Sequence, residues 1–148
     1  MSLAPDQIFL RVAAAITTGL TGWRQSGHAW DGFDRLRDGR EVEHLVFQVG
    51  LPEGDWSHGP DRQRAAVGTL TATTVSVRWS HRLRAGGFNA DYASALVAEA
   101  TLVAALKGLS ADPQLSVRFS RARRRVLDDE LAFIGEVNMT IIHNYPLA

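Results

Sequence analysis

The alternation of apolar and polar positions divides the chain into six predicted elements. Ile8, Val12, Ile16 and Leu20 recur every four residues, with Phe9 and Ala13 beside them, which predicts a helix with one apolar stripe. Pro5 suits the first helical position, Asp6 supplies an acid in the first turn, and Gly19 and Gly22 end the run. Residues 43–51 have period two. Leu45, Phe47, Val49 and Leu51 share one side, His44, Val46, Gln48 and Gly50 the other, and Pro52 and Gly54 stop the strand. Residues 69–83 form a longer strand, with Thr73, Val75, Val77, Trp79, His81 and Leu83 on one face and Thr74, Ser76, Arg78, Ser80 and Arg82 on the other. Asn89 is a candidate N-cap for a helix over 90–109 that holds seven Ala and has a broad apolar surface, with Tyr92, Leu96, Ala100 and Val103 on one stripe. Residues 115–126 and 133–145 alternate again and read as an antiparallel hairpin.

The expected fold is therefore α+β: an antiparallel four-stranded sheet with two helices on one face, in the order α-β-β-α-β-β. A long loop joins the first two strands. It is an extended stretch at 53–68, EGDWSHGPDRQRAAVG, in which Trp56 is the one large apolar side chain. Loops longer than about 12–15 residues are uncommon in compact domains unless they are functional or disordered. Residues 21–40 are a second Gly-rich loop, where Trp23, Trp30 and Phe33 either plug the edge of the core or face a partner.

Composition narrows the class. A chain of 148 residues fits a single domain over 1–148 and is long enough to fold without disulfide or metal. The absence of Cys removes thiolate chemistry, disulfide frameworks and Cys-type zinc sites. Sixteen acids balance sixteen bases, which argues against nucleic-acid binding by bulk attraction. No run approaches the ~18 consecutive apolar residues of a membrane span, and the first residues do not resemble a signal peptide. Of the sixteen bases only Lys107 is Lys. Either base composition of the genome or a demand for planar, bidentate contacts accounts for fifteen Arg.

No chemical motif stands out. His28, His44, His58, His81 and His143 lack metal-ligand spacing, and no P-loop, GxGxxG or GxSxG occurs. Gly86-Gly87 ahead of a helix reads as a turn as well as an anion cradle. Asp128, Asp129 and Glu130 read as a solvated hairpin turn rather than a cation site. No cofactor or metal is expected. The strongest charge feature is Arg118 with Arg121, Arg123, Arg124 and Arg125. Simple alternation places Arg121, Arg123 and Arg125 on the side of Leu115, Val117 and Phe119. The rib is either a solvated strand end or a surface that meets acids of another subunit, with Arg78 and Arg82 extending it.

The order of elements resembles that of the tail terminator proteins of long-tailed phages and phage-like particles. The matching pieces are IFLRVAAAITTGL, EHLVFQVGL, the excursion DWSHGPDRQRAAVG, TTVSVRW, DYASALVAEATLVAALKGL and FIGEVNMTIIHNYPL. The resemblance is one of topology and pattern over nearly the whole chain. It implies a non-enzymatic ring, usually a hexamer, that caps the tail tube and joins it to the head-side connector. The implied partners are copies of the chain, the tail tube protein and the connector proteins, with DNA only in passage through the lumen and no membrane. The implied location is the virion tail or neck, after synthesis in the host cytoplasm. Trp56, Arg62 and Arg64 in the excursion are the expected assembly arm, and Arg78, Arg82, Arg121, Arg123, Arg125, Asp128, Asp129 and Glu130 the expected remainder of the interface. Another connector or tube subunit would read similarly. A different class also fits: a small oligomeric α+β enzyme or ligand-binding domain with an inter-subunit site near His44, His81, His143 and Trp79.

Overall fold

A computed structural model describes residues 4–27, 44–55, 69–84, 88–126 and 132–145. Helix α1, Pro5–Gly19, begins with proline at its first turn, where no N–H partner is needed. Gln7 Oε1 accepts the Ala4 N–H at 3.1 Å, satisfying one donor at the helix start. The chain leaves the helix through Gly22, whose φ of 86° lies in the left-handed region open to glycine. Strands β1 (Arg24–Gln25), β2 (Val46–Val49), β3 (Glu53–Asp55) and β4 (Thr69–Arg82) follow, then helix α2 (Phe88–Lys107) with a 3-10 turn, and finally β5 (Ser116–Val126) and β6 (Ala132–Tyr145).

The strands form one six-stranded sheet in the order β1-β2-β4-β6-β5, with β3 also paired to β4. The expected four-stranded antiparallel sheet and the α-β-β-α-β-β order are therefore corrected to a mixed sheet with three short strands ahead of β4. Two causes are local. First, β1 pairs parallel to β2, with Arg24 opposite Val46 and Gln25 opposite Phe47. A two-residue strand carries no readable alternation. Backbone bonds from Arg24 N to Leu45 O (3.1 Å) and from Ser26 N to Phe47 O (2.7 Å) define it instead. Second, the strand expected over 43–51 breaks in two. Between the pairs Val49↔Val77 and Glu53↔Thr74, four steps on one strand face three on the other. The extra residue is absorbed across Gly50–Pro52, where proline offers no ladder donor, and Leu51 is left 87% exposed rather than inward. Leu45, at φ 54°, enters β2 from the left-handed region.

The β4–β6 pairing is the backbone of the fold and runs unbroken from Thr69↔Tyr145 to Arg82↔Ala132. Val75, Val77, Trp79 and Leu83 of β4 and its exit, and Phe133, Val137, Met139 and Ile141 of β6, pack into one core with Ile8, Val12 and Ile16 of α1 and Ala95, Leu102 and Leu106 of α2. Both helices therefore lie over the same sheet face. Trp23 belongs to this core as an edge plug, its ring centroid 5.7 Å from that of Trp79. Each fully buried leucine, such as Leu102 or Leu106, contributes on the order of 1.5–3 kcal/mol.

Helix α2 departs from its expected orientation. Tyr92 and Leu96, expected on a packed stripe, are 36% and 45% exposed, and Val97 is 66% exposed. The buried stripe is instead Asp91, Ala95, Glu99, Leu102 and Leu106. Alanine-rich sequence leaves the helix with little amphipathic preference, so ion pairs decide which side turns inward. Asp91 accepts the Arg84 backbone N–H at 2.6 Å and its guanidinium at 2.9 Å. Glu99 takes a bidentate pair from Arg124 of β5, at 2.9 and 2.6 Å.

Candidate functional site

The arginine-rich strand β5 is built on a bulge. Phe119 pairs with Met139, but Arg121 pairs with Asn138, so Ser120 is the extra residue. A single insertion reverses which side every later residue faces. Val117 and Phe119 lie on the helix side, opposite Ile141 and Met139. Beyond the bulge Ala122, Arg124 and Val126 take that side, while Arg121, Arg123 and Arg125 turn to the opposite face. The expectation that these three arginines share a side with Val117 and Phe119 is thus overturned. Those three lie with Arg24, Arg78, Arg82 and Arg118 on the sheet face away from both helices.

Glu136 is the centre of this surface. In the register it stands between Arg78 of β4 and Arg123 of β5. Arg78 Nε donates to Glu136 Oε1 at 2.8 Å in a partly buried pair. Beside it lies a cleft of about 410 Å³ lined by Arg78, Arg123, Arg124, Arg125, Ile134 and Glu136. At this end of the face Val46 and Ile134 form a second small apolar cluster, with Ser80 and Ala132 also buried. Arg118, Arg121, Arg123 and Arg125 are exposed. Among the described residues, no carboxylate accepts from Arg118, Arg121 or Arg123. The arrangement can bind oxyanions through several planar guanidinium groups at once.

Trp56, Arg62, Arg64, Asp128, Asp129 and Glu130 fall outside the described residues, as do Trp30, Phe33 and Gly86-Gly87. Of the 53–68 excursion, β3 occupies the first three residues and pairs with β4.

The four residues of the alternative enzyme or ligand-binding reading do not converge. His44 and His81 meet edge to face, with ring centroids 4.4 Å apart. His44 Nδ1 accepts the Arg82 N–H at 3.1 Å, so that nitrogen is unprotonated, and burial together with His81 and Arg82 holds the His44 pKa below its usual value. His81 Nδ1 lies 2.8 Å from the Arg82 carbonyl and donates to it. His143 is at the other end of β4–β6, opposite Thr71, roughly 34 Å along the strand at ~3.4 Å per residue. It is 1% exposed, and its Nε2 and the Thr73 hydroxyl share a hydrogen bond of 2.6 Å. Trp79 is fully buried between Trp23, Phe133 and the backbone of Gly135, with its Nε1–H unpartnered. Among the described residues, no group of three or more His, Asp or Glu could hold a metal ion.

A second surface is apolar. The outward side of α2 presents Tyr92, Leu96 and Val97, and Leu10 of α1 is also exposed. By length and composition alone Asn89–Ala111 would cross a membrane. Its Asp91 and Glu99 are engaged with Arg84 and Arg124.

Comparison with protein-family models and with curated protein sequences gives no match. The bulge was the feature that sequence reading missed. Its one signal is the consecutive polar pair Ser120-Arg121, after which the apolar positions shift from 117 and 119 to 122 and 126.

Proposed function

We propose that this chain is a structural subunit of a phage or phage-like tail, forming a ring that caps the tail tube and joins it to the head-side connector. The observation that carries the reading is the uneven dressing of the sheet. Both helices cover one face, and the other carries seven arginines, Arg24 included through its register with Val46, against Glu53 and Glu136 among the described residues. Such a surface is built to be met by something acidic. The resemblance in hydrophobic pattern, not the corrected element order, supplies the particle, and the surface supplies the means of assembly. A ring subunit needs two different complementary patches, one for each neighbour. The alternative of another connector or tube subunit uses the same surface in the same particle.

Co-purification tests the reading. The tagged chain, expressed in its host during particle production, is expected in purified tails at a fixed copy number, at the end that joins the head. Negative-stain microscopy should show rings. A stable dimer or trimer that never associates with particles would overturn the assignment.

A further inference from the structure

Strand β5 ends the sheet. Among the described residues it pairs on one side only, with β6, over Ser116–Val126. The far side of an edge strand carries a row of main-chain N–H and C=O groups that can template a further strand. Burial falls away toward this edge. Ile141, Met139 and Phe133 of β6 are buried, while Val117, Phe119 and Val126, their partners on β5, pack on the core only in part. Ala122, on the same side, is exposed. The helix side of the edge is thus an unfinished apolar surface. On the opposite side stand Arg118, Arg121 and Arg123, exposed and with no carboxylate acceptor among the described residues.

We infer that the open edge of β5 receives, as an added strand, an extended segment of a different protein in which acidic and apolar residues alternate. The inference does not depend on the ring reading above. Alternation follows from the period of a strand, whose successive side chains point to opposite faces. Acids of the added strand meet Arg121 and Arg123, at the roughly 4.5–5.5 Å that separates Cβ atoms of directly opposed residues. Its apolar residues cover Phe119, Ala122 and Val126. Guanidinium groups hold carboxylates through paired hydrogen bonds, and this face already contains one such cross-strand contact, Arg78 Nε to Glu136 Oε1 at 2.8 Å. The main-chain row supplies affinity and the two dissimilar faces supply specificity. A second β5 is a poor occupant, because Arg would stand beside Arg and the bulge at Ser120 interrupts the match. Other short strands of a second copy do not reach along residues 121–126: β1 has two residues and carries Arg24, and β3 has three. A nucleic-acid backbone would answer the arginines but neither the main-chain row nor the apolar side, and the arginine face presents no aromatic side chain for base stacking among the described residues.

The test is fluorescence anisotropy on the full chain, with a labelled, end-blocked peptide of about seven residues in which Glu and Val alternate. At about 150 mM salt it should bind, and a peptide of the same composition with Glu and Val in separate blocks should bind on the order of 10-fold more weakly or worse. Two further peptides carry N-methyl groups on alternate N–H groups, one on the Glu set and one on the Val set. Only one edge of an added strand faces β5, so one of the two should lose binding and the other keep it. Arg121→Glu/Arg123→Glu should weaken the Glu–Val peptide on the order of 100-fold and gain binding of a Lys–Val peptide. Both side chains are exposed, so the variant should keep the wild-type circular dichroism and melting temperature. Hydrogen exchange of 116–126 should slow when the peptide binds. Equal binding of the alternating and block peptides, or equal effects of the two methylated sets, reduces the contact to charge alone and overturns the inference. So does the absence of peptide binding, or a single-stranded oligonucleotide that displaces the peptide and slows the same exchange. Peptide that binds only by dissociating an oligomer of the chain assigns the edge to a second copy and also overturns it. If the peptide fails to bind but the chain enters tails, the ring reading stands alone, and if it binds while the chain never enters particles, only the ring reading falls.

Discussion

Gly135→Ala gives a sharp test of the core. Gly135 lies directly opposite Trp79 on β6, and the indole occupies the space where a side chain would be. A Cβ built there falls within overlap distance of Trp79 Nε1 and Cε2 and only 2.7 Å from Cζ2. The indole has nowhere to retreat. It is fully buried, with Trp23 on one side at 5.7 Å and Phe133 on another at 5.3 Å between centroids. Two effects compete. Alanine restricts the unfolded chain, which stabilises by about 0.4–1 kcal/mol where its backbone conformation is compatible. Overpacking a filled core costs about 1–3 kcal/mol. The clash wins, and a net loss of roughly 1–2 kcal/mol is expected. For a chain of this size that is a fall of about 2–8 °C in melting temperature. Urea unfolding followed by far-ultraviolet circular dichroism measures it. The cause is isolated in a Trp79→Phe background, where the smaller ring vacates the contact and the unpartnered Nε1–H is also gone. There the added methyl should be neutral or stabilising. An equal loss in both backgrounds, or none in the wild type, refutes the close approach of Trp79 and Gly135.

Other outcomes test other parts of the fold. Leu106→Ala removes a fully buried side chain and should cost about 2–5 kcal/mol in the same unfolding assay, and wild-type melting would show that α2 packs otherwise. The bulge can be read by crosslinking, because the chain has no native Cys. Arg121→Cys with Asn138→Cys should oxidise to a disulfide and Arg121→Cys with Val137→Cys should not, with the opposite preference indicating an unbulged ladder. The His44 pKa is lowered in the fold, so below its usual value of 6.5 the unfolded chain takes up the proton first. Stability should therefore be full above about pH 6.5 and decline toward pH 5. His44→Gln should flatten that decline, and an unchanged pH slope in the variant removes His44 as its source. The Asp91 carboxyl is lowered by the hydrogen bonds it receives from the Arg84 side chain and backbone, so its contribution persists through mild acid and is lost only as pH falls through its folded value. Asp91→Asn should lower the melting temperature at neutral pH and narrow that difference in strong acid.

Much of the fold was legible where pattern and packing coincide. The period-two faces of β4 and β6 were readable because one face of each is almost wholly buried: Val75, Val77 and Trp79 on one, Val137, Met139 and Ile141 on the other. Helix α1 was readable because Ile8, Val12 and Ile16 meet a single surface. What escaped was decided by backbone rather than side chains. Strand β1 is two residues held by main-chain bonds, and the division of β2 from β3 needs one extra residue near Pro52. In the candidate surface the residue types were legible and their direction was not. Arg121, Arg123 and Arg125 could be singled out by composition, but the face they occupy depends on Ser120.

The bulge also accounts for the inverted polarity of α2. With an unbroken ladder, Arg121, Arg123 and Arg125 would all point beneath the helices, three cations in a core that offers few carboxylates. The extra residue sends those three outward and turns one, Arg124, toward α2. That single cation is met by Glu99, two hydrogen bonds deep, and Glu99 sits one turn from Ala95 and two from Asp91 on the buried stripe. The acid therefore has a reason to face the sheet, and the outward side of the helix is left with Tyr92, Leu96 and Val97. One inserted serine thus separates a basic sheet face from an apolar helix face on opposite sides of the same layer. Two dissimilar surfaces on opposite sides suit a subunit with different neighbours on its two sides. If that coupling is correct, Glu99→Leu should increase the burial tendency of α2 while stranding Arg124, and Arg124→Leu in the same chain should restore stability. Urea unfolding of the two single variants and the pair would show it as a favourable coupling of roughly 1 kcal/mol, and strict additivity would sever the link between bulge and helix.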